Sequence, residues 1–312
     1  MIDLSVVIPV YHSAESLEEL HRRLQKVLGL ITRRYEIIFV EDGGRDRSWE
    51  VLEKIAERDR KVMAFRLSRN FGQHAAITAG LSQCSGKWAV VMDGDLQDAP
   101  EEIPRFWEKA REGFDIVFSK RKKMKRSFWR AWTTNLYFKT INFFNQSAVD
   151  REFGNFTMIS RKVIDAFLDI KDKDRHYLFI LYWLGFRTAI VEYAHQERPH
   201  GKSSYSLKKL VQHAFNGLFF QTTVLLRWIV YLGFLVSFLG LLFAVYILYE
   251  YLFRSVLPGW TSLIVLVLLV GGFIIISTGV TGLYIGKIFD QVKSRPLYLI
   301  QQRTVPGKKP GK

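Results

Sequence analysis

The sequence predicts an α/β domain with a mostly parallel sheet, followed by a two-helix transmembrane hairpin near the C-terminus. In the N-terminal third, short apolar runs alternate with segments whose leucines and valines recur at helical spacing, which indicates a parallel sheet covered by helices. Farther along, residues 228–249 and 262–286 include no charged residue, and each stretch exceeds the about 20 residues with which a helix crosses a bilayer. The 312-residue chain is 48% hydrophobic with one cysteine, Cys84, which excludes a disordered chain and an internal disulfide framework.

Four apolar runs are the predicted strands of this sheet: Leu4–Val10, Tyr35–Val40, Val62–Leu67 and Trp88–Met92. Predicted helices lie between them, the clearest over Ala14–Leu30, where apolar residues return every third or fourth position. The carboxyl ends of parallel strands meet at one edge of a sheet, and ligands of open α/β sheets bind there. We therefore expect three groups to share this edge: Pro9–Tyr11, Glu41–Asp42 and Asp93–Asp95.

Two carboxylates stand on either side of a glycine after the fourth run, in the sequence Asp93-Gly94-Asp95. This spacing brings two hard oxygen ligands together and suits Mg²⁺ or Mn²⁺ bound jointly with a diphosphate. Acids and glycine are also common in turns that bind nothing, so the spacing by itself leaves both interpretations open. No G-x-G-x-x-G follows the first run and no G-x-x-x-x-G-K-[ST] occurs, which removes the main support for a dinucleotide or P-loop site.

The charge distribution predicts one local anion site. The chain has 45 Lys and Arg against 30 Asp and Glu, a formal net charge of +15. Eight of the basic residues fall between Lys120 and Lys139, in a segment without acids. Outside this segment, residues 1–227 have a net charge close to zero, so we expect no nucleic acid as a partner. The basic segment is either a site for a phosphorylated ligand or a solvated loop attracted to anionic lipid.

The basic residues near the apolar stretches predict their orientation. Lys and Arg flank the outer ends of the hairpin, whereas the link between its helices has only Arg254. By the positive-inside rule, both termini face the cytoplasm of the cell, with the hairpin in its inner (plasma) membrane. Residues 126–145 repeat aromatic and apolar side chains at helical spacing, which predicts an interfacial helix, with an ordinary core helix as the alternative.

Five motifs resemble those of the family 2 glycosyltransferases that act on polyprenyl phosphates, a group that includes dolichyl-phosphate mannose synthase and bacterial undecaprenyl-phosphate glycosyltransferases. The motifs are SVVIPVY at 5–11, EDGGRD at 41–46, NFGQHAAITAG at 70–80, MDGDLQDAPEEIP at 92–104 and RPHGKSSY at 198–205. The resemblance implies a GT-A fold (Rossmann-like) and inverting transfer of one sugar, from a nucleotide-sugar donor with UDP favoured, to undecaprenyl phosphate for cell-envelope glycan modification. Lipid membrane is thus an expected partner, and a homo-oligomer is compatible with the sequence.

The resemblance also implies roles for residues at the positions that match the motifs. Asp93, Asp95 and Gln97 would hold Mg²⁺ or Mn²⁺. The nucleotide would contact Pro9, Tyr11, Glu15, Asp42 and Asp93. The acceptor phosphate would meet Arg121, Arg126, Ser127, Arg198 and Lys202. The catalytic set would be Asp95, Glu152, Asp150 and Arg126.

These expectations divide the chain into four parts. They are a GT-A domain over 1–204 with its interfacial helix at about 126–145, a juxtamembrane helix at 205–227, a hairpin at 228–286 with helices at about 228–250 and 262–286, and a basic cytoplasmic tail at 287–312. A processive polysaccharide synthase and a non-catalytic membrane adaptor that binds anionic lipid are the alternative functions. The first requires a Q-x-x-R-W motif, whose spacing the sequence around Arg227-Trp228 does not match. A membrane adaptor would give the carboxylates at the strand ends no role.

Overall fold

The computed structural model describes residues 2–121, 153–173, 175–193, 224–253 and 259–304. The chain forms two compact units, one over 1–127, 149–204 and 295–312 and the other over 128–148 and 205–294. The strands are β1 (Leu4–Val10), β2 (Tyr35–Glu41), β3 (Val62–Leu67), β4 (Trp88–Val91), β5 (Ile116–Arg121), β6 (Phe153–Ser160), β7 (Thr188–Tyr193) and β8 (Ile300–Arg303). The helices are α1 (Leu17–Ile31), α2 (Ser48–Arg58), α3 (Gln73–Gln83), α4 (Ile103–Arg111), α5 (Arg161–Asp169), α6 (Tyr177–Trp183), α7 (Val224–Phe253) and α8 (Trp260–Val292), with a 3₁₀ turn at Pro100–Glu102.

The first unit is built on one sheet of eight described strands, in the order β7-β5-β6-β4-β1-β2-β3-β8. Strands β1 to β4 are mutually parallel, as the sequence predicts, and β5 pairs in parallel with β7. Strand β6 runs antiparallel between β4 and β5, and β8 runs antiparallel along β3. The carboxyl ends of β1 to β5 and of β7 therefore lie at one edge, which we call the rim.

Both faces of the sheet are covered, so its central strands carry apolar residues on both sides. Leu4, Val6 and Ile8 of β1 pack into a core with α1, α2 and α4, whereas Val7 packs into a second core with α3, α5 and α6. Helix α3 approaches the sheet closely because it presents small residues. A Cβ on Gly80 would lie 2.3 Å from Cγ1 of Val7.

Residues after α8 return to the first unit and complete the sheet. The Ser68 amide donates to the Leu299 carbonyl at 2.9 Å. The Thr304 amide donates to the Ala64 carbonyl at 2.9 Å, and Oγ1 of Thr304 accepts from the Ala64 amide at 2.8 Å. The segment predicted as a tail from residue 287 thus consists, within the described residues, of the last turns of α8, a short link and the edge strand β8. The polar residues of β8 lack the alternating pattern that predicts a strand.

The second unit contains the two long helices α7 and α8, which cover the two predicted spans. Within the described residues, one stretch, Val270–Val292, is long and apolar enough to cross a membrane, and a shorter apolar stretch, Ile229–Phe243, lies in α7. Phe234 and Ile275 are each more than 70% exposed, and the exposure of such large apolar side chains to water is unfavourable. One spanning helix is therefore supported, and the pair of spans stays a prediction.

Candidate active site

The loop after β4 rests directly on the end of β1. Gly94 makes this contact, since a Cβ there would lie 3.5 Å from the Pro9 carbonyl oxygen and from Cγ2 of Ile8. The Ser16 hydroxyl donates to the Gly94 carbonyl at 2.6 Å and holds the loop to the start of α1. Pro9 is buried, and Tyr11, two residues on, is 49% exposed at the rim. The structure thus brings the predicted groups on β1 and β4 together.

This loop carries three oxygen-bearing side chains that are partly accessible to solvent. Asp93, Asp95 and Gln97 are half-buried, whereas the residues between them are buried. Leu96, between Asp95 and Gln97, has a φ of +62° although it carries a branched side chain. Such backbone strain persists only where surrounding contacts over-determine it, and it concentrates at functional sites. The loop is therefore held in a conformation that an isolated turn would not favour.

A residue that sequence reasoning missed orients the first of these carboxylates. Gln73, the first residue of α3, donates from its side-chain amide to Oδ1 of Asp93 at 2.6 Å. Gln73 belongs to the NFGQHAAITAG motif, so the motif was the available signal. The distance of 20 positions between the two residues concealed their contact.

Asp42 joins the end of β2 to the loop before α3. Its two carboxylate oxygens accept hydrogen bonds from the Phe71 amide at 2.7 Å and the Gly72 amide at 2.9 Å. Asp42 is 3% exposed, and burial raises its pKa from 3.8 to about 6 against the opposing effect of these two amides. Asp42, which is predicted to contact the nucleotide, thus also stabilises the loop before α3.

Glu41 stabilises the turn that follows β2. Its carboxylate accepts hydrogen bonds from the Gly44 amide and, at 3.1 Å, from Nε of Arg66 on β3. Burial raises the pKa of Glu41, while Gly44 and Arg66 oppose the rise. The Arg66 guanidinium therefore helps to keep a second buried carboxylate charged beside Asp42.

Replacing Asp42 by asparagine should remove a pH dependence of stability. Because the pKa of Asp42 is about 6 in the folded protein against 3.8 ordinarily, the folded state binds more protons between these values, and stability falls as pH rises through them. From pH 4 to 7, the wild type should lose about 2 kcal/mol relative to Asp42→Asn. Urea unfolding of both proteins in detergent, with the exposed Asp165→Asn as control, measures this difference. Parallel stability curves for Asp42→Asn and the wild type would contradict the assignment.

The rim residues fit a divalent cation that shares its coordination with a phosphorylated ligand. Asp93, Asp95 and Gln97 offer only oxygen, the donor that Mg²⁺ and Mn²⁺ prefer. In the described part of the chain, no three His, Cys, Asp or Glu side chains form a ligand group of their own. A cation held here would thus take its remaining ligands from phosphate and water, as Mg²⁺ commonly does.

The remaining predicted site residues are placed differently. The backbone of Arg121 ends β5 at the rim, opposite Tyr193 of β7. Glu15 is exposed and lines a shallow groove with residues of α1 and α2. The other predicted residues lie outside the described part of the chain: Arg126, Ser127, Asp150, Glu152, Arg198 and Lys202.

A mostly parallel α/β sheet with carboxylates after β2 and β4 is the architecture of a GT-A glycosyltransferase, the class that the fold and the rim define. The chain belongs to glycosyl transferase family 2, whose family model matches residues 5–168. This confirms the predicted family and the predicted GT-A fold.

Full-length relatives extend the similarity beyond the family domain. The chain is 37% identical over 303 residues to an uncharacterized glycosyltransferase, YkcC, of Bacillus subtilis (strain 168), covering 96% of this chain and 94% of that protein. It is 35% identical over 316 residues to the undecaprenyl-phosphate 4-deoxy-4-formamido-L-arabinose transferase of Pseudomonas paraeruginosa (strain DSM 24068 / PA7), covering 99% and 93%.

A solved structure shares the fold at low sequence identity. It is the glucosyl-3-phosphoglycerate synthase of Mycobacterium tuberculosis in complex with Mn²⁺ and UDP-glucose. It aligns with a TM-score of 0.50 and 16% identity over 70% of this chain and 77% of that one.

Proposed function

We propose that this glycosyltransferase transfers a single sugar, with inversion, from a nucleotide sugar to a polyprenyl phosphate at the cytoplasmic membrane face. UDP is the favoured nucleotide and undecaprenyl phosphate the favoured acceptor. One observation carries the proposal: relatives named for transfer to undecaprenyl phosphate match 99% of this chain, so the likeness includes both the oxygen-lined rim and the apolar helices. The product would serve the modification of a cell-envelope glycan.

The chemistry asks the protein mainly to hold two anionic reactants together. A phosphate monoester has a second pKa of about 6, so the acceptor is already largely a dianion at neutral pH. One of its oxygens forms a bond to the anomeric carbon, while the bond from that carbon to the donor diphosphate breaks and the electron pair leaves with the nucleoside diphosphate. Because the acceptor is itself a nucleophile, positioning and charge stabilisation contribute most of the catalysis.

Each part of the rim has a role in this scheme. Asp93, Asp95 and Gln97 would hold Mg²⁺ or Mn²⁺, which supplies neutralisation of the charge that develops on the leaving diphosphate. Gln73 keeps the Asp93 carboxylate in place. Asp42, with the loop it supports, forms the nucleotide end of the site. The basic segment that begins at the end of β5, together with Arg198, would bind the acceptor phosphate, since guanidinium groups match phosphate oxygens in pairs.

The membrane arrangement is part of the proposal, with both α7 and α8 crossing the bilayer. Strand β8 follows α8 and pairs with β3, and β7 precedes α7 in the same sheet. A chain that leaves one side of a membrane and returns to it crosses an even number of times. Because α8 contains a stretch able to span, α7 supplies the second crossing.

Transfer by the purified full chain in detergent tests the proposal. The protein is incubated with undecaprenyl phosphate and a panel of UDP- and GDP-sugars, with and without a chelator, and the lipid is analysed by mass spectrometry. We expect a product heavier by one sugar, formed only when Mg²⁺ or Mn²⁺ is present. A polymer would indicate a processive synthase instead, and no transfer from any donor, alongside anionic-liposome binding, would indicate an adaptor.

A further inference from the structure

A buried hydrogen bond links the end of the loop after β4 (residues 93–97) to β7, the strand at one edge of the sheet. Tyr193, the last residue of β7, donates from its hydroxyl to Oδ1 of Asp98, and each residue is 1% exposed. The ring of Tyr193 packs edge-to-face on Phe156 with centroids 5.8 Å apart, which directs the hydroxyl. Neither Tyr193 nor Asp98 is among the residues predicted for the site.

The Tyr193–Asp98 hydrogen bond connects two parts of the rim. Asp98 directly follows Gln97, so it ends the loop that presents the three oxygen-bearing side chains. Tyr193 lies opposite Arg121 in the β5–β7 register, where both strands reach the rim. The segments that carry the predicted acceptor residues start immediately after these two strands. The Tyr193 hydroxyl therefore links the 93–97 loop, which the proposed function assigns to the donor diphosphate, to the ends of β5 and β7. The predicted acceptor residues lie at or just after these two strand ends in the sequence.

The loop needs such a restraint because its conformation is strained. Leu96 keeps a φ of +62° only while neighbouring contacts hold both ends of the loop. The Ser16 hydroxyl fixes the first end at Gly94, and Asp98 is the corresponding point at the other end. Without the second restraint, the loop can relax and change the positions of the Asp95 and Gln97 side chains.

We propose that Tyr193 is a positioning residue that holds Asp98, and through it the 93–97 loop, in the conformation that binds a divalent cation together with a nucleoside diphosphate. This inference rests on the proposed function, since it presumes that the loop binds these two ligands. Tyr193 would act through Asp98 without touching either of them.

Binding of Mn²⁺ in the presence of UDP or GDP, whichever the wild type binds, tests the proposal without turnover. Free Mn²⁺ is measured by electron paramagnetic resonance on the full chain in detergent. Tyr193→Phe removes only the hydroxyl and should raise the Mn²⁺ dissociation constant about tenfold, the effect of losing one hydrogen bond to a charged group.

Tyr177→Phe is the matched control. It removes a fully buried hydroxyl that hydrogen-bonds to Oγ1 of Thr157 at 2.6 Å, in the core on the other face of the sheet. We expect it to lower the melting temperature about as much as Tyr193→Phe while leaving Mn²⁺ binding within about twofold of the wild type. Asp98→Asn, which keeps an acceptor oxygen, should bind Mn²⁺ more tightly than Asp98→Ala does.

The outcomes separate this inference from the proposed function. Unchanged Mn²⁺ binding in Tyr193→Phe, or equal weakening in both tyrosine variants, overturns the positioning role and leaves the proposed function intact. A wild type that binds no Mn²⁺ with either nucleotide overturns the metal part of the proposed function and this inference with it. If Tyr193→Phe does not fold, the Asp98→Asn and Asp98→Ala pair decides, and equal binding by those two overturns the proposal.

Discussion

Asp95→Ala should reduce kcat for sugar transfer by about 10²- to 10³-fold, the effect of removing one group that stabilises charge in a transition state. Asp95 is half-buried, as Asp93 and Gln97 are, and its Oδ1 accepts a hydrogen bond from the Gln97 backbone amide at 3.1 Å. The substitution thus removes a cation ligand and also a contact that shapes the loop. Because both effects act on the leaving diphosphate, we expect the loss mainly in kcat and in the apparent affinity for Mn²⁺.

The measurement is initial-rate transfer over a range of Mn²⁺ concentrations. Asp165→Ala serves as control, since the Asp165 side chain is 60% exposed and interacts with Arg161 on the same helix. It should retain wild-type rates. Turnover by Asp95→Ala that persists in the presence of a chelator would show that the loop has no metal role.

The parts of the site that sequence reasoning predicted are those governed by local rules. Pro9 lies near the end of β1, and Asp42, Asp93 and Asp95 follow β2 and β4. The rule that ligands bind at the carboxyl ends of parallel strands predicts all four at one edge. The parts it missed depend on partners distant along the chain. The Gln73–Asp93 contact is one example, and the Tyr193–Asp98 hydrogen bond, across 95 positions, is another.

The same distinction applies to the fold. Strands β1 to β4 were predicted within one residue of their bounds because buried parallel strands are continuous apolar runs. Strand β8 was not predicted, since its sequence, IQQR, is polar and all four residues are exposed. Its partner β3 lies more than 200 positions earlier, and only the pairing itself identifies β8 as a strand.

Gly43→Ala should abolish detectable donor binding and lower the free energy of unfolding by about 2–4 kcal/mol, the combined cost of strain and overpacking. Gly43 has a φ of +62°, and a Cβ there would lie 2.3 Å from the Arg69 carbonyl carbon and 2.5 Å from the Asn70 amide nitrogen. Both are backbone atoms, so no change of rotamer can relieve the contact. The 68–72 loop must therefore move away from the turn after β2.

Because the 68–72 loop moves, we expect Gly43→Ala to weaken binding of the nucleotide-sugar donor. The Phe71 and Gly72 amides that bind the Asp42 carboxylate belong to the displaced loop, so the substitution removes both hydrogen bonds of a buried charge. Gly113→Ala is the control: its φ is +90°, but the nearest atom to its Cβ would be Nη1 of Arg187 at 3.7 Å, at the opposite edge of the sheet. It carries comparable backbone strain without the close approach, so it should cost about 1 kcal/mol and leave the donor KM unchanged. Melting temperatures and donor binding by the two variants separate strain from contact. Equal behaviour of both would show that the 41–44 turn does not support the nucleotide end of the site.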